Sequence, residues 1–384
     1  MPKRNSTRSD TSKSSSSRQS IGFQYANQSP TTSKTSLSSS GLTRVMSTIY
    51  ETFSGSKQMT GLDGEEMDPG LRTPPDTSSG FSLTLGSPAG LAKKRRPSIR
   101  GSKGSGVMKS RRSEMERVVA TTKKATLAIL AKTELEGTRF GYMANQWTAP
   151  ELYSTSVEYP NVTTMVRVVA GDTYDRALEM QDAGSTTDHM PVCVLNFANA
   201  FNPGGGWLGG SQAQEEQLCY RSTLIDTLHT RFYPMEDLEC LYSPNVIVFR
   251  KSVDSKYSFM AGGGELHLNP TVSVISMAAR DKPGLVNADG LTYKDAAQKC
   301  LMIAKMQLIL RTAAHNNHRR LVLGAIGCGA FRHPAQVVAE CWYEVLMKEE
   351  FKGWFEKIYF VIRDSPAENK LGTFVETLDG LNIG

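Results

Sequence analysis

The sequence predicts an α/β protein whose mainly parallel or mixed sheet is covered by helices on both faces. Three observations predict it. Apolar, strand-like runs alternate with helical patterns from about residue 113 onward. Two of these runs end in glycine-rich loops that open a helix. The later runs are separated by amphipathic stretches long enough to be crossover connections. No internal repeat is evident.

Order is predicted to begin near Ser113. Ser113-Glu114-Met115-Glu116 fits the capping pattern S-x-x-E, and Val118, Val119, Leu127, Ile129 and Leu130 carry helical spacing through about Leu135. A strand follows at about Met165–Ala170. Gly171-Asp172-Thr173 then opens a helix to about Asp182, with Asp172 as its N-cap. The next strand is Pro191–Phe197, and a helix begins near Gln212 after a glycine-rich loop. Further strands are expected at Val246–Phe249, Thr271–Met277, Arg320–Ile326 and Ile358–Ile362, with helices at about Thr292–Ala314 and Pro334–Lys348.

Residues 1–112 read differently. They are dominated by Ser, Thr, Gly, Lys and Arg, and such a segment buries too little apolar surface to offset the ordering entropy of about 1–2 kcal/mol per residue. A disordered basic tail is expected there, ahead of a folded domain over 113–384. The formal net charge of +6 is uneven: 18 Lys and Arg against 7 Asp and Glu give +11 up to Arg112, leaving −5 for the remainder. The acidic domain lacks a basic and aromatic stripe, which argues against nucleic-acid binding. Lys93-Lys94-Arg95-Arg96 matches an import signal, so an import receptor is an expected partner and the expected location is intracellular, nuclear and/or cytoplasmic. No stretch approaches the roughly 20 apolar residues of a membrane span. The six cysteines form no CxxC pair and read as reduced core or site thiols.

Chemistry concentrates in two segments. In the first, Leu195-Asn196-Phe197-Ala198-Asn199 leads through Pro203 into Gly204-Gly205-Gly206, then Gln214-Glu215-Glu216. Three glycines let backbone approach a ligand closely, and N–H groups at the carboxyl end of a strand favour phosphate. Seven residues separate Gly206 from Gln214, and two adjacent carboxyls follow it. In the second, Gly324-Ala325-Ile326-Gly327-Cys328-Gly329-Ala330-Phe331 again follows an apolar strand and precedes a helix. Cys328 reads as a small loop residue rather than a nucleophile, and His333 as a helix cap at most. His315 and His318 close a helix among Asn and Arg and read as solvated. No His/Cys cluster has metal-ligand spacing, so neither a metal nor a cofactor is expected.

The pattern GGG, seven residues, then QEE resembles the bacterial-type poly(ADP-ribose) glycohydrolases, and the second segment resembles the second phosphate loop of macrodomains. The resemblance runs from roughly Glu114 to Asn382. It implies a three-layer α/β/α macrodomain-like fold with a mixed central sheet. It also implies hydrolysis of ribose–ribose O-glycosidic bonds, with poly(ADP-ribose) or ADP-ribosylated proteins as partners. Carried over by residue, Glu216 is the catalytic acid and Glu215 holds a ribose hydroxyl. Asn199 contacts the distal ribose, and Phe331 packs against it. The substrate-binding set is completed by Gly204, Gly205, Gly206, Gln214, Gly327, Cys328, Gly329 and Ala330, with Asp172 near the adenine end as an alternative to its capping role. Ile326 stands where related sequences often carry an aromatic.

Neighbouring helical residues diverge by about 100°, so Glu215 and Glu216 are not expected to flank one bond as acid and nucleophile. A single carboxyl, Glu216, would act as acid and then base, with its pKa raised by burial and its neighbour. The alternatives are a non-hydrolysing ADP-ribose reader, which needs no acid, and a hydrolase of mono-ADP-ribosyl groups or acylated ADP-ribose, which would use the same pocket.

Overall fold

Eight strands form one mixed sheet in the order β1-β4-β5-β3-β6-β7-β2-β8. They are β1 (Tyr142–Asn145), β2 (Thr164–Ala170), β3 (Cys193–Phe197), β4 (Glu239–Ile247), β5 (Thr271–Met277), β6 (Arg320–Leu323), β7 (Lys357–Ile362) and β8 (Asn382–Ile383). The computed structural model describes residues 104–183, 190–260, 265–286, 292–364 and 368–384. The tail over 1–103 and the basic run from Lys93 to Arg96 lie outside them.

The middle five strands, β5, β3, β6, β7 and β2, run parallel, while β1, β4 and β8 close the two edges antiparallel. Side chains alternate across the pleat. Val166, Val168, Cys193, Leu195, Ile275, Met277, Leu321, Leu323, Ile358 and Phe360 face one core. That core is covered by α4 (Ala296–His315), α5 (Ala335–Leu346) and α6 (Lys370–Leu378). Val194, Val272, Val274, Val322 and Val361 face the other. There α1 (Gly104–Lys132), α2 (Thr173–Asp182) and α3 (Gln214–Arg221) supply the cover. The expected α/β sheet with helices on both faces is what forms. No helix among the described residues is long and apolar enough to cross a membrane.

Several local readings change. Helix α1 starts at Gly104, so Ser113 lies inside it and caps nothing. An S-x-x-E pattern stops being a cap when the chain upstream is already helical. The buried stripe of α1 is Met115, Val118, Val119, Ala125, Ile129 and Leu130, completed by Thr122 and Thr126, whereas Leu127 is exposed. Strand β4 begins at Glu239 and ends at Ile247, earlier than its apolar run suggests. Pro244 interrupts the pattern, and a register shift between Ser243 and Val246 absorbs it. The edge strands β1 and β8 and helix α6 were not expected. Both strands are too short to show alternation.

Two histidine readings are also overturned. His318 is fully buried, its ring held by Tyr242 Oη at 2.7 Å and the Pro191 carbonyl at 3.0 Å. His333 does not cap α5, whose N-cap Pro334 makes no side-chain bond. All six cysteines are free thiols, and only Cys300 is exposed.

Candidate active site

A cleft of about 390 Å³ opens at the carboxyl ends of the five parallel strands. Each strand contributes residues at or just beyond its end: Gly171–Thr173 after β2, Phe197 and Asn199 at β3, Ala279 after β5, Ala325 and Gly327–Phe331 after β6 and Val361–Arg363 at β7. This is the crevice in which open α/β sheets bind ligands.

The first loop is built around the two glutamates. Both stand in the first turn of α3 and are nearly fully buried. Neither caps its own helix. Instead Glu215 Oε2 accepts the Asn199 N–H at 2.8 Å, and Glu216 Oε1 accepts the Gly206 N–H at 2.8 Å. Their other oxygens, Glu215 Oε1 and Glu216 Oε2, are buried with no hydrogen-bond partner among the described residues. Gly205 lies between the two carboxyls with φ +57°. A Cβ there would stand 2.6 Å from Glu216 Oε1 and 2.9 Å from Glu215 Oε2, so a side chain at this position is strained and displaces the carboxyls. The divergence expected for neighbouring helical residues holds at the backbone. The longer side chains fold back onto the same glycine.

Burial pushes the Glu215 carboxyl up to about 8; the Asn199 N–H opposes this and the neighbouring Glu216 adds to it. The raised value falls on Glu215. Burial dominates even though the positive end of α3 would favour a carboxylate there.

The remaining residues of the first loop mainly shape it. Gln214 turns its amide onto the β3 backbone, accepting the Phe197 N–H at 2.8 Å and donating to the Leu195 carbonyl at 2.7 Å. Asn199 Oδ1 accepts the N–H groups of Phe201 and Asn202 at 2.8 and 2.9 Å. Gly204 and Gly206 do not line the cleft, while Gly205, Gln214 and Asn199 do. From outside, Tyr220 Oη reaches the carbonyls of Trp207 and Ser211 at 2.8 and 2.7 Å. Lys123 of α1 sits 5.6 Å above the Trp207 ring. Asp172 caps α2 by accepting from Tyr174 and Asp175 N–H groups, and it pairs with the buried Arg221.

The second loop brings Gly327, Cys328, Gly329, Ala330 and Phe331 to the opposite wall. Gly329 and Ala330 are exposed and Phe331 is half-buried against the core. Cys328 is buried and its thiol is pushed up to about 12, mainly by that burial, which leaves it inert as a nucleophile. Ile326 is fully buried in the core. Gln212, Gln217, Ala279, Val361, Arg363 and Lys370 also line the cleft and were missed. Two of the expected strands end beside Ala279 and Val361–Arg363, so the rule that ligands sit at strand carboxyl ends was the available signal. Arg363 crosses the rim to Gln217 Oε1 at 3.0 Å.

Residues 113–251 match the family described as the microbial-type PARG catalytic domain. Over that segment the chain is similar to the microbial-type poly(ADP-ribose) glycohydrolases. That similarity supports a glycosidase-type hydrolase, and the matched segment contains both glutamates. Solved structures agree on the fold. The poly(ADP-ribose) glycohydrolase of Thermomonospora curvata is 25% identical with a TM-score of 0.56, over 70% of this chain and 99% of its own. The same enzyme bound to the inhibitor ADP-HPD gives 24% and 0.53, over 70% and 98%. The Deinococcus radiodurans enzyme in complex with ADP-ribose gives 27% and 0.50, over 64% and 98%. No curated protein matches.

Proposed function

We propose that this protein cleaves the ribose–ribose O-glycosidic bond of poly(ADP-ribose) and releases ADP-ribose. The observation that carries the reading is the buried Glu215–Glu216 pair. Each carboxyl is anchored by one loop N–H and keeps one unpartnered oxygen beside a cleft walled by two glycine loops. An ADP-ribose reader would have no need to bury two such groups, at a cost of several kcal/mol for a charged one.

Glu215, raised to about 8 mainly by burial, keeps its proton at neutral pH. In the proposed reaction Glu216 gives a proton to the departing ribose oxygen as the C–O bond breaks. As carboxylate it then takes a proton from the water whose oxygen bonds to the anomeric carbon, and so returns to its starting state. Glu215 holds a ribose hydroxyl. Asn199 and Phe331 bracket the distal ribose, and the exposed backbone at Gly329 and Ala330 receives the diphosphate.

One observation favours the reverse assignment, with Glu215 as the acid: it is the carboxyl held up by burial. Single-turnover release of ADP-ribose from polymer separates the two. Loss of chemistry in Glu216→Gln, with partial activity in Glu215→Gln, supports Glu216 as acid; the opposite ranking overturns it. The domain proposed for this activity spans 113–384, extended upstream by the first turns of α1. The basic run from Lys93 to Arg96 is proposed to direct nuclear import, which a reporter fusion with those four residues changed to Ala tests by its location.

A further inference from the structure

The second glycine loop ends on a buried histidine that the proposed chemistry does not use. His333 is 6% exposed, and its backbone N–H and both ring nitrogens are engaged. Its backbone N–H donates to the Gly327 carbonyl at 3.0 Å and so closes the loop that carries Cys328–Phe331. Its ring lies under Gly327, where φ is +77° and a Cβ would stand 2.6 Å from His333 Cδ2. Nε2 lies 2.7 Å from the Arg280 carbonyl, and Nδ1 lies 2.7 Å from Tyr293 Oη.

These contacts settle the tautomer. A carbonyl only accepts, so Nε2 carries the ring proton, and the bare Nδ1 accepts from the Tyr293 hydroxyl. Burial also favours the neutral ring, holding its pKa below the ordinary imidazole value. The Tyr293 ring meets the imidazole edge-on, with centroids 5.6 Å apart. The segment that receives Nε2 belongs to the cleft as well. Arg280 follows the lining residue Ala279, and two residues on the Lys282 N–H donates to the Phe331 carbonyl at 3.1 Å. Gly327, Phe331 and His333 are thus all tied, and two of the three ties run to one short stretch after β5.

We infer that His333 is the positioning residue of the second loop, and that with Tyr293 it forms a latch holding Phe331 and the Gly329–Ala330 backbone in their ligand-receiving shape. The inference rests on reading the cleft as an ADP-ribose site. The latch touches neither glutamate nor any residue of α3, so it sets affinity rather than the chemical step.

The test uses the full chain, with ADP-ribose binding followed by calorimetry and steady-state kinetics on polymer. Tyr293→Phe removes one hydroxyl from an otherwise packed ring. It is expected to weaken ADP-ribose binding and raise KM by about tenfold while kcat stays within about twofold. His333→Gln retains one donor and one acceptor and is expected to lie closer to wild type than His333→Ala. Tyr293→Phe added to His333→Ala is expected to cost nothing more, because the shared bond is already gone. Should His333→Ala fail to fold, Tyr293→Phe and His333→Gln decide. Unchanged affinity in Tyr293→Phe, or a loss confined to kcat, overturns the latch. Failure of the unmutated protein to bind ADP-ribose overturns the site reading instead.

Discussion

The two glycine loops follow parallel strands and face the same cleft, yet they are held by opposite means. The Gly204–Gly206 loop is tied by carboxyls: its N–H groups at Asn199 and Gly206 donate to Glu215 and Glu216. The Gly324–Phe331 loop is tied by a neutral imidazole, a phenol and backbone carbonyls. In the first, the groups proposed for chemistry are also the fasteners, so a change in their charge disturbs reactivity and loop shape together. In the second, shape is maintained by groups remote from the reacting bond. The contrast predicts that kcat and pH dependence belong to the first loop and affinity to the second.

The sharpest way to break this contrast is Glu216→Gln. Removal of a general acid–base is expected to lower kcat on polymer by about 10²–10⁴, while the amide oxygen still accepts from Gly206 and ADP-ribose affinity is kept. Equal losses in kcat and affinity would show that the two roles are not separable.

Gly205→Ala should follow in size. The added methyl meets both carboxyl oxygens and forces an L-residue into the left-handed region, destabilising the fold by about 1–3 kcal/mol and displacing both glutamates. Denaturant unfolding and turnover should fall together. An active, stable variant would mean that the loop does not constrain the pair.

Glu215→Gln probes the cost of the buried charge. A folded-state pKa of about 8, against an ordinary 4.5, means the native protein binds this proton more tightly than the unfolded chain. The wild type should therefore lose stability as pH rises from about 4.5 to 8. The variant should be spared that loss, gaining on the order of 5 kcal/mol at pH 9 and little at pH 4. Parallel stability curves for the two proteins would remove the account.

The second loop should respond at the other end of the scale, and more weakly. His333 faces Tyr293, Arg280, Asp281 and Lys305, and its pKa is lowered, first by burial. The unfolded chain then takes up the proton more readily, so native stability should decline as pH falls below about 6.5. His333→Gln should flatten that decline, to be read from thermal unfolding between pH 7 and 5.

Much of this was legible in the primary structure. The strand Thr271–Met277 and helix Thr173–Asp182 with its Asp172 cap appear as read, because unbroken apolar runs and a polar cap are local signals. The six fixed positions of the GGG–QEE pattern led to the buried pair, and the glycines at 327 and 329 to the facing wall. What escaped depended on partners far along the chain. Gln214 spends its amide on the backbone of β3, which no spacing reveals. His318 looked solvated among Asn and Arg, but Tyr242 and Pro191 come from other elements to bury it.

By itself, then, the sequence determined the alternation of strands and helices, the two glycine loops and the adjacency of Glu215 to Glu216, because each is a property of neighbours. The tertiary structure decided which residues those loops serve. Burial, a through-space quantity, raised Glu215. Packing of the segment after β5 against the second loop turned His333 from an apparent cap into a buried tie.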